Sequence, residues 1–244
     1  MPKKVFSDID GLLLLDKPLG LSSNAALQKV RHLIKASKAG HAGTLDPFAT
    51  GLLVCCIGKS TKSSSIFMEF PKSYIATIKF GEETDTGDLT GNIVFKSEKQ
   101  IPIVEDDLIE VLNSFVGEIY QVPPMYSALK HNGVPLYKYA RDGININREA
   151  RKINIYSIKL LYIRGDCAGI EVFCSKGTYI RTLAEDIGRA LKSFAHLVQL
   201  RRISVGPLFV NQAYTLDVLG SMDKPVDAVL DNIFLNHIKN KDSI

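Results

Sequence analysis

AGHAGTLDPFATGLL, residues 39–53, places three glycines and an Asp-Pro pair ahead of an apolar run. Gly40, Gly43 and Gly51 permit sharp backbone turns, so the stretch from Gly40 to Gly51 reads as a loop. Pro47 pushes Asp46 out of the helical region into an extended conformation that projects its carboxylate, with His41 five residues before it. The same pair also fits a helix start, with Asp46 as N-cap and Pro47 at the first helical position, and spacing alone leaves both open.

Outward from this loop the chain alternates strands and helices irregularly. GLLVCCIG, 51–58, continues as an apolar strand, and residues 11–15 form a short buried strand upstream. Between them, 22–36 is an amphipathic helix with Ala26, Leu27, Val30, Leu33 and Ile34 on one face and Ser22 or Ser23 as its cap. Downstream come a Ser-rich turn or short helix, an alternating strand at KSYIATIKFG, and an acidic turn-rich loop, EETDTGDLTGN, at 82–92. A helix over 105–117 turns Leu108, Val111, Leu112 and Phe115 inward, and QVPPMYSALKHNG is proline-stiffened and irregular. Strands follow at 151–163 and 168–174, then a helix from Thr178 to Leu191 that buries Ile180, Leu183, Ala184 and Ile187, and a last strand at 198–205. Several neighbouring strands are joined by turns too short for a parallel crossover. The class is therefore α+β, with a mixed, mostly antiparallel central sheet flanked by helices and loops.

With 244 residues, 45% of them apolar, the chain can bury a core as one large domain or two small ones. No apolar run approaches a bilayer span, and the leucines after Gly11 stop at Asp16 and Lys17, so a cytoplasmic protein with neither membrane helix nor secretory signal is expected. Cys55, Cys56, Cys167 and Cys174 lack the CxxC spacing of a zinc site and read as reduced thiols, and no metal site is expected. The net charge of +4 is uneven: residues 1–122 carry 13 Lys and Arg against 15 Asp and Glu, residues 123–244 carry 17 against 11. Lys130, His131, Arg141, Arg148, Arg151 and Lys152 crowd one stretch, which suits a phosphate-tracking surface or an ordinary solvated face.

DIDGLLLLDKP, 8–18, has the paired aspartates of a Mg²⁺-dependent phosphotransferase loop. Such a loop follows a buried strand, whereas Asp8 and Asp10 precede the apolar run, so they read as exposed turn carboxylates.

GHAGTLDPFATGLL, with DKPLGLSS before it and KGTYIRTLAEDIG after it, resembles the TruB family of tRNA pseudouridine synthases. The likeness runs in order from about Gly11 to Gly206 and includes KSYIATIKFGEETDTGD, QVPPMYSALKHNGVPLYKYAR and LRRISVG. It implies the pseudouridine synthase fold and a cofactor-free isomerase that converts uridine 55 of the tRNA T loop. Asp46 is then the catalytic aspartate, Arg181 the arginine that pairs with it, and Tyr74 the tyrosine that stacks on the target base and helps remove its C5 proton. His41 is implied to fill the space left by the flipped uridine, and Tyr179 and Leu200 to line the uracil pocket. Lys17 and Pro18 support the loop. Asp85 and Asp88 lie where the family contacts the RNA loop. Residues 1–206 are the implied catalytic domain, with a basic insertion near 123–152 that grips the T arm. Residues 207–244 form a short appendage, with one helix near 224–235, in place of the PUA-like domain usual in bacterial members. The expected partner is tRNA, with no membrane, no obligatory protein partner and a monomeric state. Guide-RNA-dependent relatives of the dyskerin type, which rely on a large PUA domain and protein partners, and a tRNA-binding folding factor are the competing functions.

Overall fold

A computed structural model describes residues 6–98 and 102–231. The chain forms two compact units, one from its two ends, Met1–Lys72 with Arg201–Ile244, and one from its middle, Ser73–Leu200. The first contains β1 (Gly11–Lys17), α1 (Ser23–Leu33), β2 (Ala39–Ala42), β3 (Thr50–Ile57) and α2 (Ser64–Glu69). The chain enters the second along β4 (Lys72–Phe80), followed by β5 (Glu82–Thr84), β6 (Ile93–Lys96), α3 (Glu105–Ser114), β7 (Gly117–Gln121), β8 (Lys130–His131), β9 (Val134–Pro135) and α4 (Leu136–Arg141). After β10 (Arg151–Arg164), β11 (Cys167–Cys174) and α5 (Ile180–Ala190), it leaves along β12 (Ala195–Val205) to β13 (Leu208–Phe209) and α6 (Leu216–Ser221).

In the first unit β3 is central. It is antiparallel to β1, with Leu13 opposite Cys55 and Leu15 opposite Leu53. Its other edge takes β2, His41 opposite Cys55, and the last residues of β12, which run parallel to it at Arg201 and Arg202. The strand period of two sends alternate residues to opposite faces. Leu12, Leu14, Leu52, Val54 and Cys56 pack with Phe67, Phe70 and Leu208, while Leu13, Leu15, Leu53, Cys55 and Ile57 meet Ala26, Leu27 and Val30 of α1. Both faces of β3 are thus buried, which is why its sequence is an unbroken apolar run.

The segment from 207 to 231 belongs to this unit's core. Tyr214 accepts from the amide of Asp16 and donates to the carbonyl of Leu14, both at 2.9 Å, and Leu12 exchanges two bonds with Leu230 at 2.9 and 2.7 Å. It thereby occupies an edge of β1 that would otherwise present unpaired amides, while Leu219 and Ala228 fill the core beside α1. The helix expected near 224–235 is a single 3₁₀ turn, Pro225–Ala228, as far as residue 231; residues 232–235 lie outside the described residues.

In the second unit the strand order is β12-β4-β11-β10-β7. β10 and β11 form a long antiparallel hairpin, and β7 pairs with the start of β10, Gln121 opposite Arg151. α3 packs against β10 and α5 and buries Leu108 and Leu112. Three expectations are corrected. Part of the glycine-rich loop, Ala39–Ala42, is a strand because β3 offers it an open edge. The acidic loop begins in a hairpin, with β5 paired to β6. The helix from 105 stops at Ser114, and Gly117, at φ +107°, starts β7 instead.

Candidate active site

Asp46 lies between β2 and β3. Its carbonyl accepts from the Ala49 amide at 3.1 Å, closing a tight turn over Pro47 and Phe48 that leads into β3 without a helix. The N-cap alternative therefore fails. Side chains tie the loop down on both sides of the aspartate. The buried Ser23 hydroxyl donates to the Leu45 carbonyl at 2.9 Å and accepts from the Leu45 amide at 2.7 Å. The Gly20 amide donates to the Pro47 carbonyl at 2.8 Å. Arg202, 1% exposed, donates from Nε to the Leu52 carbonyl at 2.8 Å and from Nη2 to the Gly43 carbonyl at 3.1 Å. Its neighbour Arg201 turns the other way and grips both carboxylate oxygens of Asp16, at 2.9 and 2.7 Å. Gly51, at φ +100°, passes so close to the Arg202 backbone that a Cβ would collide with its carbonyl oxygen.

Lys17 is fully buried, and its ammonium donates to the carbonyls of Pro18, at 2.9 Å, and Leu21, at 2.7 Å. Burial pushes its pKa down to about 8, against the Asp46 carboxylate, which favours the charged form. His41, on β2, is half-buried with Nδ1 lacking any hydrogen-bond partner. Burial, and then the Arg202 charge, push its pKa below the ordinary value, which makes the ring neutral at pH 7. Asp46, His41, Lys17 and Arg202 are thus brought together in the first unit.

Tyr74, Tyr179, Arg181 and Leu200 belong to the second unit. Tyr74 is buried on β4, Leu200 is buried on β12, and Tyr179 is the half-buried residue at the N-cap of α5. Arg181 is not a surface helix arginine: it is 4% exposed, and its guanidinium donates to the carbonyls of Thr86 and Tyr126, each at 2.7 Å. Asp88, 4.0 Å from the guanidinium, corrects the expectation of an RNA-facing carboxylate. It is buried and accepts from the Thr90 amide at 2.8 Å, the Thr90 hydroxyl at 2.5 Å and the Thr86 hydroxyl at 3.0 Å, so it shapes the turn that presents the Thr86 carbonyl to Arg181. Asp85 likewise accepts from the Asn92 amide. The Tyr179 backbone is held in both directions by Gln121, whose Oε1 accepts from the Tyr179 amide at 2.7 Å and whose Nε2 donates to the Tyr179 carbonyl at 3.0 Å.

Farther along α5, Glu83 accepts two bonds from Arg189, and burial followed by the Glu83 charge raises Glu185 to about 7. The basic stretch is exposed in large part, with Arg141 over the Tyr137 ring at 5.4 Å and Lys152 paired to Glu118 at 2.8 Å. Asp8 accepts from Ser37 and Asp10 from the Lys59 amide, so each is a local anchor. Among the described residues no group of three His, Cys, Asp or Glu side chains could hold a metal ion, and no helix is long and apolar enough to cross a membrane. The four cysteines are free thiols.

Sequence reasoning missed Ser23 and Arg202 as organisers of the Asp46 loop in the first unit, and Gln121 and Asp88 as organisers of the turns at Tyr179 and Arg181 in the second. One signal was available for Ser23: of two adjacent serines at a helix start only one, Ser22, is needed as the cap.

The profile described as TruB family pseudouridylate synthase (N terminal domain) matches residues 31–180, and that described as tRNA pseudouridylate synthase B C-terminal domain matches 181–235. The chain belongs to the TruB family. A protein of Bordetella avium named tRNA pseudouridine synthase B is 57% identical over 231 residues, 94% of this chain and 95% of that one. A Hydrogenovibrio crunogenus protein of the same name is 46% identical over 248 residues, covering all of this chain and 81% of its own. Among solved structures, the crystal structure of a Cbf5-Nop10-Gar1 complex contains a chain that is 29% identical, with a TM-score of 0.70 over 90% of this chain. The present chain spans 59% of that longer one. The pseudouridine synthase fold expected for the TruB family is thereby met. The family's C-terminal profile begins inside α5, well before residue 207.

Proposed function

We propose that this chain is a tRNA pseudouridine synthase, an isomerase that converts uridine 55 in the T loop to pseudouridine. The observation that carries the reading is the Asp46 loop, in which Ser23, Gly20 and Arg202 fix the backbone around one carboxylate beside the buried Lys17. The reaction breaks the bond from uracil N1 to ribose C1′ and forms one from C5 to C1′. C5 loses a proton and N1 gains one, so composition is unchanged and no oxidant or hydrolytic water is consumed. A carboxylate on a backbone fixed in this way serves it as a nucleophile or as the counter-charge to developing positive charge at C1′.

In this reading the base is flipped out before reaction, at a cost of a few kcal/mol that stacking and phosphate contacts offset. Tyr74 stacks on the uracil and assists removal of the C5 proton, Tyr179 and Leu200 wall the pocket, and Arg181 is the site's fixed cation. His41 takes the space the base leaves, a role that its neutral ring supports because it stacks without adding charge. The basic segment from Lys130 to Lys152 grips the T arm, and a monomer in the cytoplasm acts without a partner protein or a cofactor.

The test is pseudouridine formation on an unmodified tRNA transcript without added metal, guide RNA or other protein. It compares wild type with Asp46→Asn and with a transcript carrying cytidine in place of the T-loop uridine. Product from wild type on the intact transcript alone supports the reading. No product from wild type overturns it.

A further inference from the structure

We propose that Gln121 is a positioning residue that couples the basic segment 122–150 to the turn carrying Tyr179 and Arg181. The proposal rests on the pseudouridine synthase reading and deepens it. Gln121 ends β7, and its register partner across the sheet is Arg151, the first residue of β10. The segment therefore leaves and re-enters the sheet at one paired position, its neck. At that neck Gln121 is 2% exposed, and its carboxamide bonds the Tyr179 amide and carbonyl as a strand backbone would. A buried amide is retained only where both its ends are satisfied, and here a single main-chain residue satisfies both.

A second tie lies five residues on. After Pro123 and Pro124 the Tyr126 carbonyl accepts from Arg181 Nη2 at 2.7 Å. No side chain caps the start of α5 at Tyr179, and the elements that fix that end include the Gln121 clamp and the two carbonyls on Arg181. One clamp and one of those carbonyls come from the root of the segment. RNA held by the segment thus acts on the placement of Tyr179 and Arg181 through Gln121, and loss of the clamp separates grip from chemistry.

The experiment measures single-turnover rates at saturating tRNA transcript, and separately the dissociation constant for that transcript, for wild type, Gln121→Met and Gln121→Glu. Misplacement of reacting groups by a fraction of an ångström to an ångström costs up to about 100-fold in rate. Gln121→Met is expected to lose roughly 10- to 100-fold in rate with affinity changed less than about threefold. Gln121→Glu keeps the acceptor for the Tyr179 amide but not the donor, and should fall between Met and wild type. A wild-type rate in the Met variant, or a loss of affinity with full rate at saturation, overturns the proposal. A second measurement needs no variant: amide hydrogen exchange at Tyr179 and Arg181 of the wild-type chain, with and without the transcript. Slower exchange in the complex supports the coupling, and unchanged exchange overturns it. Absence of product from wild type with RNA-dependent protection intact would instead count against the assigned reaction alone.

Discussion

Replacing Ser23 with alanine removes one oxygen atom, yet it should disturb both stability and catalysis. Ser23 and Leu45 are 2% and 3% exposed, so deletion of the hydroxyl leaves the Leu45 amide and carbonyl without a partner in a buried setting. Each orphaned group costs about 1–3 kcal/mol. Alanine at a helical position returns about 0.5 kcal/mol. The net loss is about 1.5–5.5 kcal/mol, equivalent to a fall in Tm of roughly 3–22 °C for a chain of this size. Urea denaturation followed by circular dichroism should show a lower midpoint at unchanged slope. Because Leu45 is bonded directly to Asp46, the single-turnover rate at saturating tRNA should also fall, by up to about 100-fold. The adjacent Ser22→Ala is the control: it removes only the cap bond to the Ala25 amide, should cost about 1 kcal/mol and should leave turnover intact. Stability within 0.5 kcal/mol of wild type together with normal turnover in Ser23→Ala would refute the assignment of the clamp.

Asp46→Asn should abolish pseudouridine formation while leaving the dissociation constant for the transcript within about threefold, as read by filter binding; residual turnover at the wild-type rate would remove Asp46 from the mechanism. Gly51→Ala should cost about 3–5 kcal/mol in a denaturant titration, because left-handed strain adds to collision with the Arg202 carbonyl. Glu185 titrates near 7 in the folded chain against an ordinary value of 4.5, so the folded state holds the proton more tightly. Its contribution is complete below about pH 4.5 and is lost as pH rises through 7. Glu185→Gln, which does not ionise, should match wild type at pH 4 and exceed it by about 1–3 kcal/mol at pH 8; equal differences at the two pH values would contradict a half-buried, proton-retaining Glu185.

Elements that carry their own periodicity were legible in the sequence. The apolar faces of α1 and α5 and the unbroken run of β3 follow from the side chains within each segment. β2 was not legible, because AGHA has no strand-forming residue and becomes a strand only when β3 offers its edge. β7 was obscured because the apolar pattern of α3 runs on toward Gly117. At the site, the Asp46 motif announced itself through its similarity to a family, whereas the residues that hold it did not. Ser23 acts on this loop from 22 positions away and Arg202 from 150, as Gln121 acts on Tyr179 from 58, and a serine, an arginine and a glutamine are ordinary surface residues until the fold buries them. Asp88 misled in the opposite sense: an acidic turn looks solvated, and only the threonine hydroxyls folded around it show that it faces inward.

The loop that presents Asp46 is fastened by an arginine 150 to 159 residues further along the chain. On a ribosome adding about 5–20 residues per second, the guanidinium that locks this loop is made some 8–30 seconds after the loop itself. The middle unit, Ser73–Leu200, is continuous and can fold as it emerges, whereas the unit built from both ends must wait for its second half. A nascent chain interrupted before residue 202 therefore carries the Asp46 loop without its lock. Vectorial synthesis itself delays the fixing of this loop until Arg202 has been added.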